Sequence, residues 1–386
     1  MATGRGGNKI KTRLGFLLYG GYGTWKSSFC LESMKLKTED GRPFRVLFID
    51  PENGGVDTYL DKYEEAGYDL RNIYIVYTQS LTEVNEFINK AKNGEDFYEF
   101  DDDGNETDDV YLDADGKPFR PDMIVVDGAT LLYTAKQQSI IEFSKKRATV
   151  RANVKELTGM AKEVAIEGAG MEQKDWGTLK IDGQNLILNL LASGKHFAVT
   201  AREKEDTAQV KDKDGNFKTI NLGTFHADGF KDVAYNCKTV LRMFKDDDGV
   251  IKGYIDQKDR TMVHEQNEIV VEPSITDWQT AIDKNVGKKD FVVQNNMNDA
   301  IEKELKAVEK DNAKFDTEMK AEKPSESTTL KTVEDYHNAI KDAIGKLSNT
   351  EKSKRQTEIG KEGLPKAYQK IEDIEVLKKY YNIVSK

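Results

Sequence analysis

Residues 14–34 read LGFLLYGGYGTWKSSFCLESM, an apolar run that breaks into a glycine turn and resumes with helical composition. Phe16, Leu17, Leu18 and Tyr19 have the character of a buried strand; Gly20, Gly21 and Gly23 supply the turn; Lys26, Ser27 and Ser28 open the helix. Strand, glycine loop and helix, in that order, form the setting in which G-x-x-x-x-G-K-[ST] binds phosphate. The glycines let successive backbone N–H groups curl around an anion at a helix N-terminus. Lys26 would reach the β- and γ-phosphates and the Ser27 hydroxyl would ligate Mg²⁺. Gly20, Gly21, Gly23, Thr24, Trp25 and Ser28 complete the expected cradle. Trp25 stands where the pattern places its last glycine, so its side chain must point away from the nucleotide or pack over it. The bland alternative, a glycine turn that binds nothing, weakens once the segments downstream are considered.

Residues 45–50 (RVLFID) form a buried-type strand that runs into 51–55 (PENGG). A carboxylate just beyond an apolar strand lies where open α/β sheets hold their ligands. Glu52 is therefore a candidate base for orienting an attacking water, with a capping or solvated loop acid as the alternative. Residues 72–78 read as another strand and 81–92 as a helix. Residues 123–128 (MIVVDG) end four apolar positions in Asp127, which suits the Mg²⁺ shell beside a phosphate loop. Residues 196–200 (HFAVT) form a further strand ending in Ala201-Arg202-Glu203, where a polar group could sense the γ-phosphate. His196, at the start of that strand, reads as structural. Residues 239–244 and 253–256 pair across Asp248-Gly249 and lead to Gln257-Lys258-Asp259-Arg260. Lys258 and Arg260 alternate onto one side, which suits a phosphate in the same or a neighbouring subunit, or else a solvent-facing hairpin end.

The 386 residues are 38% hydrophobic and 33% charged, enough apolar material for a real core beneath a heavily charged exterior. The net charge of −10 argues against a wholesale nucleic-acid coat and leaves room for a local basic track. Lys145, Lys146, Arg147 and Arg151, within a helical stretch at 134–176, are the densest such cluster outside the termini and the candidate DNA contact, against a solvated helix face. The polar loop expected at 204–231, with Asp214-Gly215 as its turn, is a second candidate. No apolar run approaches the roughly 18 residues of a membrane span, and the first residues lack a signal-peptide core. With Cys30 and Cys237 as the only cysteines, a reducing cytoplasm and no membrane association are expected.

The expected organisation is a basic arm at 1–13, a core at 14–272, a charged linker at 273–330 and a helical module at 331–386. Residues 95–115 are dense in Asp and Glu and carry the turn dipeptides Asp103-Gly104 and Asp115-Gly116, so an acidic hairpin is expected as an insertion at about 93–120. Asp101, Asp103 and Asn105 have calcium-loop spacing, but Glu106 takes the place where such a loop needs glycine. Pro324-Ser325-Glu326-Ser327 has linker composition. In the tail, Val333, Tyr336, Ile340, Ile344 and Leu347 follow helical spacing behind Thr332 and Asp335, and an apolar stripe recurs over 364–384.

Taken in order, GGYGTWKSS, LFIDPEN, MIVVDG, HFAVTARE and QKDR resemble the RecA-like ATPases, especially phage nucleotide-binding proteins of the Sak-type single-strand-annealing group and phage recombinases. The likeness covers roughly 14–260. It implies an α/β, RecA-like P-loop NTPase core with a mostly parallel sheet flanked by helices, followed here by the small helical module. It further implies ATP and Mg²⁺ as cofactors, with Lys26 and Ser27 in the phosphate loop, Asp127 in the metal shell and Glu52 as catalytic carboxylate. Thr200 and Arg202 fall at the γ-phosphate sensor, although RecA itself carries an amide there. Lys258 and Arg260 resemble the paired cations that cross a subunit interface. The implied function is a DNA-dependent ATPase that self-associates, as filament or ring, on single-stranded DNA during recombination or annealing. A single-strand-binding or replication protein is the implied partner of the C-terminal module. A ring-forming helicase or motor, and a nucleotide-gated binding module with little hydrolysis, are the competing readings.

Overall fold

The computed structural model describes residues 4–385 apart from 8, 102, 213–214, 231–232, 322–329 and 331; within 311–321 it describes the backbone alone. The chain divides into two units, Met1–Ile301 and Glu302–Lys386.

The first unit is built on a nine-stranded, mostly parallel sheet. Its strands are β1 (Gly15–Gly20), β2 (Val46–Ile49), β3 (Ile73–Val76), β6 (Met123–Asp127), β7 (His196–Lys211), β8 (Phe217–Ala227), β9 (Thr239–Lys245), β10 (Ile251–Asp259) and β11 (Ile269–Val271). The order is β11-β10-β9-β1-β7-β6-β2-β3, with β8 paired to β7. From β9 to β3 every pairing is parallel, whereas β10 and β11 add an antiparallel edge. The central strands are apolar throughout because both faces are covered. Leu17 and Tyr19 of β1 join one core cluster, while Phe16 and Leu18 join the other.

The connections carry α1 (Lys26–Leu31), α2 (Asp57–Glu65), α3 (Leu81–Asn93), α4 (Ala129–Val154), α5 (Gly159–Glu167), α6 (Gln173–Ala192) and α7 (Val233–Asn236). Between α3 and β6 lies the two-stranded hairpin β4 (Tyr98–Phe100) and β5 (Glu106–Val110). It is tied down where Asp113 and Asp115 both pair with the buried Arg45. The phosphate-loop strand β1 lies next to β7, which separates it from the aspartate-bearing β6. That arrangement is the expected α/β fold class, a mostly parallel sheet flanked by helices.

Several expectations need correction. The polar loop expected at 204–231 is instead a continuation of β7, which runs on to Lys211 and turns into β8; Asp214 and Lys231 lie outside the described residues. The core does not end at 272. Trp278 is fully buried, packs edge-on against Phe16 and Phe29 at ring-centroid distances of 5.0 and 5.8 Å, and is followed by α8 (Gln279–Asp283). The linker expected at 273–330 therefore begins as core and then contains the 25-residue helix α9 (Met297–Ala321). Its Pro324-Ser325-Glu326-Ser327 stretch lies outside the described residues. The basic arm is docked over its last residues: Lys11 N–H donates to the Lys289 carbonyl, and Arg13 pairs with Asp290.

The second unit holds α10 (Val333–Lys346), α11 (Asn349–Lys361) and α12 (Ile374–Val384). Tyr336, Ile340, Ile359, Leu377 and Tyr380 close its small core. The stripe at 364–384 is not one helix: Asp373 caps α12, and a short 3₁₀ turn precedes it. Among the described residues, no helix is long and apolar enough to cross a membrane.

Candidate nucleotide site

Strand register brings the predicted residues to one edge of the sheet. Thr200 lies opposite both Asp127 and Leu18, and Arg202 lies opposite Gly20. At this carboxyl edge, Gly20, Gly21, Gly23, Thr24, Trp25, Lys26, Ser27, Ser28, Glu52, Asp127, Thr200 and Arg202 all line one cavity of about 540 Å³.

The loop between β1 and α1 has the geometry its glycines permit. A Cβ on Gly20 would sit 2.0 Å from the Met243 carbonyl oxygen of β9, so no side chain fits there. Trp25 adopts φ 64° and ψ 22°, the left-handed conformation that the missing glycine would take without strain. Its side chain is 52% exposed and forms part of the cavity wall with Tyr22 and Tyr59. Lys26 Nζ donates to the Gly20 and Gly21 carbonyls at 2.9 and 2.6 Å. Burial lowers the Lys26 pKa, an effect opposed by Asp127, Glu52 and Glu203.

Asp127 is buried at the end of β6 and accepts a hydrogen bond from Thr200 Oγ1 at 2.6 Å. Burial raises its pKa, an effect opposed by the neighbouring Ser27 and Thr200 hydroxyls. Thr200, which also lines the cavity, is thus turned toward Asp127. Among the described residues, no group of three or more His, Cys, Asp or Glu side chains could hold a metal unaided. The hard oxygens of Ser27 and Asp127 fit Mg²⁺, which takes one or two protein ligands and completes its shell with phosphate and water.

Glu52 is placed by a neighbour that sequence reasoning passed over. Asp50 is fully buried at the end of β2, and its carboxylate accepts from the backbone N–H groups of Glu52 (2.8 Å), Gly54 (2.8 Å) and Gly55 (3.0 Å). That net holds the turn and presents Glu52 to the cavity, where its carboxylate pairs with Arg202 at 3.1 Å. Both side chains are half exposed, at 44% and 58%. Arg202 is itself anchored through its backbone N–H to Thr130 Oγ1. Glu203 accepts from Arg242 Nε at 2.9 Å, and its other carboxylate oxygen lies against Gly21. Tyr59 and Glu203 are site residues that the strand-end reading missed. An aromatic on the helix after Glu52 was the available signal for the first, and the residue following Arg202 for the second.

Two groups of predicted residues lie elsewhere. Lys258 and Arg260 line a different cavity, of about 830 Å³, beneath the β7–β8 hairpin, where Lys258 Nζ donates to the Tyr235 carbonyl. Because β10 runs antiparallel to β9, these cations stand beside the first residues of β9. Gly20 pairs with Met243, four residues on from Thr239, so about 13 Å of strand separates them from the start of the glycine loop in the same chain. Neither cation lines the candidate nucleotide cavity of its own chain. In the helical cluster, Lys145 pairs with Glu167 at 2.8 Å, Arg147 with Asp175 at 2.5 Å and Arg151 with Glu172 at 2.7 Å. Three of the four cations expected to meet DNA thus hold α4 to carboxylates of α5 and the start of α6, and Lys146 is exposed.

No family model matches the chain, and no curated protein matches it in sequence. Among solved structures, it is similar to a KaiC-like protein from the hyperthermophilic archaeon Pyrococcus horikoshii OT3, at 13% identity over 69% of this chain and 99% of that one, with a TM-score of 0.33. At that score, the fold assignment rests on the strand order and the phosphate-loop geometry of the chain itself.

Proposed function

We propose that this protein binds ATP with Mg²⁺ and hydrolyses it, and that it works as an assembly on single-stranded DNA in recombination or annealing. The observation that carries the nucleotide reading is the convergence of Lys26, Ser27, Asp127, Glu52 and Arg202 on one cavity at the carboxyl edge of the sheet. Backbone N–H groups of the loop and Lys26 take the phosphates, with Lys26 exchanging two carbonyl oxygens for phosphate oxygens. Mg²⁺, held by Ser27 and Asp127, would neutralise charge on the phosphates.

Glu52 orients the attacking water and takes its proton. Before it can do so it must leave Arg202, and the terminal phosphate supplies the reason. A half-exposed ion pair contributes at most about 1 kcal/mol, whereas an arginine on phosphate makes a stronger, charge-assisted bond. A triphosphate therefore draws Arg202 away and frees the carboxylate, while a diphosphate leaves the pair intact.

Lys258 and Arg260 lie away from the nucleotide cavity of their own chain, a placement that supports assembly in which they serve a neighbouring chain's nucleotide; a trans cation of this kind contributes about 10³- to 10⁵-fold in rate. DNA contact is best placed on the β7–β8 hairpin. This ribbon continues directly from Thr200 and Arg202 and exposes Lys204, Lys211, Lys218 and Phe217. A ring-forming DNA motor would use the same core. A switch with little turnover is the second reading, favoured by the left-handed Trp25 and by Lys26 tied to the loop.

Phosphate release from ATP and Mg²⁺, measured without DNA, with single strands and with duplex, tests the proposal. Stimulation by single strands that falls when Lys204, Lys211 and Lys218 are changed to Glu supports it. Turnover indifferent to DNA removes the DNA half, and directional unwinding by closed rings replaces recombination with the motor reading.

A further inference from the structure

α9 separates its residues by chemistry around its axis. Ile301, Leu305 and Val308 follow four-three spacing, which puts them on one face, and they are 49%, 56% and 55% exposed. With about 100° between successive residues, Glu304 borders that seam on one side and Glu302 and Glu309 on the other. Lys303, Lys306 and Lys310 lie opposite. Glu302 is bonded to Lys306 of the next turn at 2.6 Å.

A helix built to stand alone in water would carry polar residues along the seam. Three large apolar side chains in a row at half exposure mark a surface that takes a partner. The flanking charges say which kind. A second copy would bring Glu against Glu along both borders, and like charges at those positions oppose pairing. An anionic membrane surface favours Lys and Arg beside the apolar face, and here they are on the far side.

We infer that α9 docks a basic amphipathic helix of another protein in coiled-coil fashion, apolar seam against apolar seam, with its acidic borders meeting lysines or arginines of the partner. The interaction is independent of nucleotide chemistry.

The probes are two four-heptad peptides with Ile and Leu at the a and d positions, one with Lys and one with Glu at e and g. Each is titrated into the full-length protein by fluorescence anisotropy at low and high salt. The Lys peptide binds at least tenfold tighter than the Glu peptide, more weakly at high salt. The double variant Leu305→Asn with Val308→Asn loses that binding without a change in charge. The triple variant Glu302→Lys, Glu304→Lys, Glu309→Lys prefers the Glu peptide. All five positions are exposed, and far-UV circular dichroism confirms that the variants fold. Equal affinity for both peptides overturns the inference. So does Lys-peptide binding that survives the double variant, since that is charge attraction to an acidic chain, and so does self-association of the protein that the double variant abolishes.

Discussion

At the carboxyl edge of the sheet, Lys26 holds two loop carbonyls and Glu52 holds Arg202, in contacts that open onto a cavity and can be exchanged for a ligand. At the amino edge the polar groups are closed off by the fold. His196 is half-buried and accepts the Leu14 N–H at Nδ1. Asp259 accepts from Thr239, Thr261, Val263, His264 and Trp278. Both edges are rich in ionisable side chains, so abundance does not distinguish function from scaffold. Whether a partner can be traded for a ligand does.

The largest effect should come from breaking an exchangeable contact. Glu52→Gln lowers ATP turnover about 10³-fold, the loss of a positioned base, equivalent to about 4 kcal/mol of barrier. It leaves ATP binding intact or tighter, because Arg202 is freed. A variant that loses binding and turnover together would place Glu52 among the scaffold. Next is a position on the same edge that is structural: Gly20→Ala forces a methyl into the Met243 carbonyl. That costs about 3 kcal/mol, the upper end for overpacking, read as a fall in chemical-denaturation stability. An unchanged midpoint would mean that β1 and β9 are less closely held than their register indicates.

On the amino edge, burial, with Arg13, Lys238, Lys11 and Lys195 adding repulsion, pushes the His196 pKa down to about 3. The unfolded chain takes up that proton near pH 6.5, and the folded chain does not. Stability is therefore full above pH 6.5 and falls as pH drops toward 3, by about 1.4 kcal/mol at pH 5.5. His196→Phe flattens that slope in thermal melts, whereas a slope identical to the parent's would assign the pH dependence to other groups. The smallest effect is at Trp25. Trp25→Gly relieves a left-handed residue, worth about 1–2 kcal/mol, against a glycine entropy cost of about 0.5–1 kcal/mol. A small rise in melting temperature is expected; a fall would mean that the indole packs on the loop.

The strand ends and the glycine turn were legible because buried parallel strands are continuous apolar runs, and a loop acid or glycine after such a run is conspicuous. The contacts that orient those acids were not. Nothing in PENGG shows that Asp50, rather than Glu52, collects the backbone N–H groups. The extension of β7 was invisible because residues 203–211 (EKEDTAQVK) face water on both sides of a ribbon and lack an alternating pattern. Trp278 was read as linker because only a single 3₁₀ turn and five helical residues carry it to the core. The helix α11 was missed because only Ile359 is buried along it, yet its capping box, Ser348 with Glu351, stood in the sequence as a start signal. The ion pairs that tie the basic cluster on α4 to α5 and α6 were not legible because Glu167, Asp175 and Glu172 are 20 or more residues away in sequence.

The most direct measurement is ATP binding and phosphate release by the full-length protein with Mg²⁺, beside Lys26→Ala. The parent binds and turns over ATP, and the variant loses affinity for the triphosphate and at least two orders of magnitude of turnover while keeping its fold. A parent that binds no nucleotide, or a Lys26→Ala protein that hydrolyses ATP undiminished, would contradict the assignment of this cavity.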